Sequence, residues 1–553
     1  MRSAIEKSPN GLEVRCIAGT YVVLIAMNCP PEYREGLLGF GIRRKDHTND
    51  EEYWLPGLKR FQLHDSDEGD EVTTRRHPVQ KFHWGDYTTK PGRTYTYTVV
   101  AMEGKPGALV QRESVSVTVT CEKPEAVGQN GHAVHFNRSA AASQAFSRRF
   151  PSLPKGDVED PKARTWLSRG LLEALIAFID GTQTGEGLHL FLYEFEMEEC
   201  FAALVRARVR GVKLEILYDD IWHAHSKGPG LKSLAQIRTH KLDAVCKARN
   251  GKGIGISHNK FMVRTNANGK PVAVWTGSTN FSDAAIYGQS NVGHQIDDST
   301  GRGVIGQYFD WHQAIWKDPG QTAAASRKAA VALTSVPPAA AVAGTSLVLS
   351  PRSSIEAVTA CASLVSKSQR MVCFTAPFAM QDDLEKALAT APSQVFGLLN
   401  TAGVIGSALQ TAPNTGIAVA SALSTTSILD AWQGALLKES QHHSGVFVHT
   451  KFLLIDPLSD HPVVVTGSAN FSTNSSKSND ENQLFIFGDK AVADVYLGEF
   501  MRMYDHYYFR SKMKAHQVAR ATNPRAGYLD GTSAWSDKFF NGGSQEAMRL
   551  AFF

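Results

Sequence analysis

The pattern of hydrophobic and polar positions divides the chain into a β-rich first part and a longer part in which strands and helices alternate. Residues 94–100, Thr-Tyr-Thr-Tyr-Thr-Val-Val, carry β-formers in near-continuous alternation, and residues 114–120 repeat the pattern. Further strand-like stretches, separated by turn residues, occupy 12–17, 21–27 and 36–42. We therefore predict an all-β sandwich over residues 1–124.

After Cys121 the pattern changes to strands alternating with helices. Residues 188–195 have the composition of a buried strand, 198–209 carry the periodicity of an amphipathic helix, and 212–217 form the next strand-like run. Strand, helix, glycine and strand in this order predict a βαβ unit. A second unit of this kind opens at Ser346.

These changes of pattern predict an α/β protein in which a duplicated unit follows a β domain. The predicted segments are a β sandwich at 1–124, a first α/β half at 125–318, an Ala-, Ser- and Pro-rich linker at 319–345, a second half at 346–515, and a C-terminal tail at 516–553 packed on the α/β body.

One polar motif occurs twice, once in each half. The first copy contains His258, Lys260, Gly277, Ser278 and Asn280, and the second contains His449, Lys451, Gly467, Ser468 and Asn470. The histidine and the glycine of the motif are 19 residues apart in the first copy and 18 residues apart in the second. Two similar units that meet could therefore bring two histidines and two lysines into one site.

The residue types of the motif suit the cleavage of a phosphodiester without a metal. Residues i and i+2 share a face of a strand, so His258 and Lys260 are predicted to point the same way. One imidazole can attack phosphorus while the other protonates the leaving oxygen. The lysines would neutralise the negative charge that accumulates on the non-bridging phosphate oxygens. The glycines would let the backbone approach the ligand closely. The Ser and Asn side chains would donate hydrogen bonds to the phosphate.

The motif resembles that of the phospholipase D superfamily, His-x-Lys followed by four residues and Asp, and then Gly-Ser-x-Asn. The second copy matches in full, with Asp456 at the aspartate position, whereas the first has Thr265 there. The resemblance implies two α/β halves around a pseudo-twofold axis, a site between them, a phosphohistidine intermediate on His258, and an architectural role for the aspartate.

The family also places an acid after the Asn to orient a catalytic histidine. Glu481 fits that place in the second copy, but the first copy offers Asn291 instead. On this basis His258 is expected to be oriented by Asn291 or by another acid such as Asp297. The segment 90–99 separately resembles the corner of a fibronectin type III sandwich, in which a Pro-Gly turn precedes a tyrosine that ties the corner.

Composition narrows the classes of protein to which the chain could belong. A net charge of +4 is too small to argue nucleic-acid binding by itself, and the seven cysteines form no CxxC pair, which argues against a zinc ribbon. No metal or cofactor is predicted, and the adjacent His442 and His443 are interpreted as loop residues. The start of the sequence has no apolar signal region, so a cytoplasmic protein, or one exported without a signal peptide, is expected, with no transmembrane helix.

The function predicted first is a phosphodiesterase acting on phospholipids. A nuclease is the alternative, because Gly-Ser-x-Asn-Phe-Ser resembles the nuclease branch of the same superfamily, and a third hypothesis is a binding protein that only holds a phosphate ligand. The partners considered are a phospholipid or nucleic-acid substrate, a membrane surface, and a protein bound by the β domain.

Overall fold

The N-terminal domain consists of two four-stranded antiparallel sheets. The computed structural model describes the chain except for residues 63–71, 140, 142–144, 147–148, 151–159, 221–228, 299–302, 422–445 and 521–526, and except for the side chains of 229–230 and 510–520. The domain's strands are β1 Glu6–Lys7, β2 Glu13–Ala18, β3 Val23–Asn28, β4 Gly39–Asp46, β5 Glu51–Trp54, β6 His83–Asp86, β7 Thr94–Lys105 and β8 Ala108–Thr120. Their order is β1-β2-β3-β6 in one sheet and β5-β4-β7-β8 in the other, which confirms the predicted all-β domain.

The long hairpin of β7 and β8 shows why this sequence forms strands. Tyr95 and Tyr97 point into the core between the sheets, while threonines on the opposite face pair across the strands, as between Thr96 and Thr118. The hydroxyl of Tyr95 accepts a hydrogen bond from the backbone N–H of Lys90 at 3.0 Å and so ties the turn before the strand. The closer resemblance to a fibronectin type III domain stays a prediction.

The first α/β half is built on a seven-stranded mixed sheet. Its strands are β9 His132–Phe136, β10 Gly187–Leu192, β11 Lys213–Asp219, β12 Cys246–Arg249, β13 Lys260–Thr265, β14 Pro271–Gly277 and β15 Val292–Asp297. They lie in the order β12-β11-β10-β13-β14-β15-β9, with β10, β11 and β12 parallel.

The second half repeats this topology. Its strands are β16 Gly344–Ser350, β17 Met371–Ala376, β18 Gln394–Leu399, β19 Thr415–Val419, β20 Phe452–Ile455, β21 Val463–Gly467 and β22 Glu481–Phe487. Read from β19, the order is β19-β18-β17-β20-β21-β22-β16, which corresponds strand for strand to the first sheet. The predicted duplication is confirmed.

Helices cover the sheets and connect the strands. They are α1 Pro161–Ser168, α2 Leu171–Asp180, α3 Glu198–Val209, α4 Pro229–Thr239, α5 Val304–Lys317, α6 Ala323–Leu333, α7 Glu356–Val365, α8 Asp382–Ala389, α9 Ser407–Thr411, α10 Thr473–Lys477, α11 Lys490–Arg520 and α12 Ser544–Leu550. In the part of the chain that the structure describes, none of them is long and apolar enough to cross a membrane.

The two halves share a hydrophobic core. Phe261 and Val274 of the first sheet pack with α5 residues such as Trp311, and with Leu347 and Leu484 of the second sheet. A second shared core joins the β domain to the second half through α11. This packing fixes the two sheets relative to each other, so that the same ends of their central strands meet.

The predictions for the linker and for the C-terminal tail need correction. The segment 319–345 was expected to be a surface linker, but it contains α6, which buries Ala323, Ser326 and Ala330. The C-terminal tail was expected to pack on the α/β body, but Trp535 joins the core of the β domain and donates its indole N–H to Leu37 O at 2.9 Å. Only the end of the tail, including Phe552, reaches the core shared with the second half.

Candidate active site

The two motif histidines are held where the halves exchange backbone hydrogen bonds. The N–H of His258 donates to Asp480 O of the second half at 2.9 Å, and the N–H of His449 donates to Ser290 O of the first half at 3.1 Å. Each histidine thus enters its strand, β13 or β20, from a short parallel bridge to the other half. The backbone itself brings the two imidazoles together.

Both histidines line one cavity of about 440 Å³ between the halves, and each is only 5% exposed. The other described residues that line the cavity are Tyr193, Glu194, Ile256, Asn280, Gln289, Phe378, Ala379, Val446, Asn470, Ser472, Asn474, Ser475 and Asn479. Most of these follow the ends of central strands, which is where ligands bind in open α/β sheets.

Each imidazole is oriented by a residue from the opposite half. His258 Nδ1 donates to Glu481 Oε2 at 2.8 Å, and His449 Nδ1 donates to Asn291 Oδ1 at 3.0 Å. The expectation that Asn291 or Asp297 orients His258 was wrong, because it assumed that each half serves its own histidine. Asp297 lies exposed at the other end of β15 and accepts from Gln295.

The motif serines support these orienting residues. Ser278 Oγ donates to Asn291 Oδ1 at 2.8 Å, and Ser468 Oγ donates to Glu481 Oε2 at 2.7 Å. The same hydroxyls accept backbone N–H groups of the following strands, at 3.1 Å for Ser278 and 3.0 Å for Ser468. We expected these hydroxyls to donate to a phosphate, but their protons are already used to hold Asn291 and Glu481.

The motif glycines allow two strands to approach each other closely. Gly277 has φ +128°, and a Cβ there would lie 2.3 Å from Val292 O; Gly467 has φ +146°, and a Cβ there would lie 2.4 Å from Asn482 O. Any other residue would push the strands apart. The predicted close approach therefore exists, but it is to a neighbouring backbone and not to the cavity.

The two lysines lie behind the histidines. Lys260 Nζ donates to His258 O at 2.7 Å and Lys451 Nζ donates to His449 O at 2.6 Å, and each lysine is 1% exposed. Neither contributes to the lining of the cavity. Each Nζ keeps further N–H groups, because an ammonium has three donors.

The motif asparagines do line the cavity. The side-chain oxygens of Asn280 and Asn470 are buried and make no hydrogen bond within the described chain. A buried amide without a partner costs stability unless a ligand or water satisfies it. The unpaired oxygens can accept a hydrogen bond from water or a ligand, while the Nδ2 groups of the same two side chains are the atoms that can donate to an oxyanion.

Burial dominates the electrostatics of the site. Burial, with the charges of Lys260 and Lys451 adding to it, lowers the pKa of both histidines well below its usual value. Burial also lowers the pKa of Lys260 to about 8 and raises the pKa of Glu481 to about 7. A site with so little solvent responds strongly to the charge of a bound phosphate.

The motif aspartate is Asp456 in the second half, and Thr265 stands in its place in the first half. Asp456 adopts φ +44° and accepts three backbone N–H groups, of Gln369, Arg370 and Met371, at 2.7 to 3.0 Å. Its counterpart Thr265 lies 3.2 Å from His189 Nε2. The predicted architectural role of Asp456 agrees with these contacts.

Some residues that shape the site were not identified from the sequence. Arg249 and Asp480 form a fully buried ion pair at 2.8 Å, which fixes the backbone just before Glu481. Tyr193 and Phe378 flank the two imidazoles at ring-centroid distances of 4.9 and 6.3 Å. Their signal was an aromatic residue close to the end of each central parallel strand: Tyr193 directly follows β10, and Phe378 is the second residue after β17.

Asn482 links the halves beneath the histidines. Its Oδ1 accepts from Thr276 Oγ1 and Tyr308 Oη, and its Nδ2 donates to Asn259 Oδ1, at 2.8 to 2.9 Å. The polar run Asn479-Asp480-Glu481-Asn482 at the start of a buried strand was the sequence signal for it.

The cavity does not have the composition of a metal site. Among the described residues, the one group of three side chains able to share an ion is His189, Glu215 and His312, which do not line the cavity.

Comparison with known proteins identifies a family but no near relative. The chain matches the family model described as cardiolipin synthase, phospholipase D-like domain, over residues 175–316 and 404–504. No curated protein matches the sequence.

Three similar solved structures have low sequence identity to this chain. Phosphatidylserine synthase of Haemophilus influenzae has 11% identity and a TM-score of 0.41, covering 66% of this chain and 94% of its own. Polyphosphate kinase of Porphyromonas gingivalis has 11% identity and a TM-score of 0.38 over 58% of this chain, which spans only 43% of that enzyme. Nuc of Salmonella typhimurium, a phospholipase D family member, has 19% identity and a TM-score of 0.22, covering 30% of this chain and 95% of its own.

The two regions of the family match contain one motif copy each, on equivalent strands of the duplicated sheets. Both halves of this chain are therefore similar to the phospholipase D-like domain family.

Proposed function

We propose that this protein cleaves a phosphodiester by transferring its phosphoryl group to His258 and then to water. The observation that carries the proposal is that His258 and His449 line one cavity while Nδ1 of each ring is held by the opposite half. With Nδ1 engaged, Nε2 is the nitrogen of each ring that is left for chemistry.

The reaction has two displacements. The Nε2 lone pair of neutral His258 forms a bond to phosphorus, and the bond from phosphorus to the leaving oxygen breaks. The leaving oxygen takes a proton from Nε2 of His449, whose imidazolium form is stabilised by the negative charge of the bound phosphodiester. In the second step His449 takes a proton from water, the water oxygen bonds to phosphorus, and the P–N bond to His258 breaks. The sum is hydrolysis of one P–O bond.

The asymmetry of the orienting residues supports His258 as the nucleophile. Attack places a positive charge on the ring, and the carboxylate of Glu481 neutralises that charge. The amide of Asn291 fixes the ring of His449 without neutralising it, so a protonated His449 gives up its proton more readily. A carboxylate on the nucleophile and an amide on the acid suit these two roles.

Lys260 and Lys451 would stabilise the negative oxygens of the transition state from behind the histidines. Charges act strongly in a water-poor site, so buried ammonium groups help even without lining the cavity. Asn280 and Asn470 would hold the non-bridging oxygens directly by donating from their Nδ2 groups, because both side chains line the cavity.

A phospholipid fits the described wall of the cavity better than a nucleic acid does. Ile256, Phe378, Ala379 and Val446 provide apolar surface, and Phe378 is 45% exposed. The described lining contains no Lys or Arg, whereas a polynucleotide is held through many cationic contacts to its phosphates. The substrate we propose is therefore a phospholipid, whose single phosphodiester lies beside acyl chains.

Matched substrates test this function. Purified protein is assayed on phospholipid vesicles and on single- and double-stranded DNA and RNA at equal phosphate concentration, with His449→Ala as the inactive control. We expect release of a headgroup from vesicles, with little cleavage of nucleic acid. Turnover of nucleic acid alone would favour the nuclease, and binding without turnover of any substrate would favour the binding protein.

Acid quenching tests the intermediate. With ³²P-labelled substrate, the label should be found on a peptide containing His258, and it should be lost in His258→Asn. Label on His449 would reverse the roles of the two histidines, and the absence of an acid-labile label would contradict covalent catalysis.

A further inference from the structure

A second polar cluster lies between the first sheet and α5, outside the catalytic cavity. His189 on β10 and Glu215 on β11 are direct neighbours in the register of the two parallel strands, so their side chains point to the same face. His312 and Gln313 reach the cluster from α5. Four polar side chains from three elements, β10, β11 and α5, therefore lie close together.

The spacing of the four groups is that of ligands around one ion. Glu215 Oε2 lies 2.8 Å from His189 Nδ1 and 3.8 Å from His312 Nδ1. The amide of Gln313 lies 2.6 Å from Glu215 Oε2 and 3.3 Å from each of the two Nδ1 atoms. A tetrahedral ion with bonds of about 2.0–2.1 Å separates its ligands by about 3.3 Å, within this range.

The second half shows that the fold does not need polar groups here. Cys373 on β17 and Phe396 on β18 occupy the positions that correspond to His189 and Glu215, and they too are register partners. Phe396 packs on Tyr504 of α11, and all three belong to an apolar core. The polar groups are therefore particular to the first half, and a bound ion would add to the hydrogen bonds that offset the free energy of burying them.

The surroundings orient His189 as metal-ligating histidines are commonly oriented. Thr265 Oγ1 lies 3.2 Å from His189 Nε2, so it can fix the tautomer that leaves Nδ1 to bind. Trp316 stacks on the ring of His312. The side chain of Glu215 is 28% exposed, which provides a route for an ion from solvent.

We propose that His189 Nδ1, His312 Nδ1 and Glu215 Oε2 bind one divalent ion of the zinc class, with the side-chain oxygen of Gln313 as the fourth ligand after rotation of its amide. Softer thiolate ligands are not part of the set, and nitrogen with carboxylate ligands suits Zn²⁺. His189 precedes Leu192, the register partner of Lys260, by three residues, or about 10 Å of strand. The site therefore serves the stability of the first half, separately from catalysis.

Metal content tests the proposal directly. Tag-free full-length protein is stripped with a chelator, reloaded with ZnCl₂, freed of excess metal and measured by mass spectrometry of the elements. We expect one Zn²⁺ per chain in the natural protein, and background levels in Glu215→Gln and in His312→Gln. The double variant His258→Asn/His449→Asn should keep its ion, which distinguishes this site from the catalytic histidines.

Thermal unfolding and spectroscopy give independent readouts. Adding Zn²⁺ to stripped protein should raise Tm by several degrees in the natural chain and leave the Tm of Glu215→Gln unchanged. If a variant does not fold, Co²⁺ loading of the natural protein still decides, because four-coordinate Co²⁺ absorbs intensely in the visible range. Background metal in the natural protein, or Zn²⁺ retained by Glu215→Gln, would show that the cluster is only a hydrogen-bonded network.

Discussion

Glu481 of the second half accepts a hydrogen bond from Nδ1 of His258 of the first half at 2.8 Å. The carboxylate is fully buried and is held by Ser468 and Ser475 at 2.7 and 3.0 Å. Its position depends on the second half, yet the ring that it orients belongs to the first. The site is therefore complete only when both halves are folded and joined.

Glu481→Gln should reduce kcat/KM by about 10²- to 10⁴-fold, because the amide keeps the shape but cannot neutralise a charged His258 ring. The phosphohistidine should form slowly in this variant when it is followed by rapid acid quench. Asn291→Ala serves as the comparison, and it should cost less, since His449 loses orientation but no charge partner. Equal losses in the two variants would contradict the assigned roles.

Lys260→Met and Lys451→Met should each lower kcat by about 10²- to 10³-fold, or about 2.7–4 kcal/mol of transition-state stabilisation. Methionine keeps most of the packing, so circular dichroism should show an unchanged fold. Lys213, an exposed lysine of the first half, provides the control, and Lys213→Met should keep full activity. A loss below tenfold in either buried variant would show that the lysine concerned is dispensable.

The stability of the protein should depend on pH through Glu481. Its pKa rises from an ordinary 4.5 to about 7 on folding, so the folded state binds the proton more tightly than the unfolded state. This contribution is fully present below pH 4.5 and is lost as pH rises through 7. Because glutamine does not ionise, the Tm of Glu481→Gln should rise relative to the Tm of the natural protein as pH increases from 5 to 8. A Tm difference that does not change with pH would contradict the raised pKa of Glu481.

Removing the carboxylate of Asp456 should destabilise the second half more than it slows the reaction. Three backbone N–H groups lose a charged acceptor, so Asp456→Ala should cost about 2–4 kcal/mol in the free energy of unfolding, measured with urea. Asp460→Ala is the control, because that exposed aspartate forms a surface ion pair with exposed Lys490, and its unfolding midpoint should move little. A large loss of activity at full stability would assign Asp456 a chemical role.

The sequence predicted much of this fold and part of the site. Alternation of β-formers identified the first domain, and the repeated His-x-Lys identified the two strands that carry the candidate site. The partner of each histidine was not predictable, because residues such as Glu481 and His258 are 223 positions apart and their pairing depends on the bridge between halves. The roles of Ser278 and Gly277 were misjudged for a related reason: a motif shows which groups are present, but not whether a neighbouring strand already occupies them.

The exchange of orienting residues also bears on how the two halves could diverge. If two identical chains paired as these halves do, each would supply its partner with the same residue, and both histidines would have equivalent surroundings. Joined in one polypeptide, the copies are free to differ, with Glu481 in one and Asn291 in the other, and with Asp456 matched by Thr265. A single polypeptide can therefore hold its two histidines in unequal surroundings, which a symmetric dimer of identical chains could not do.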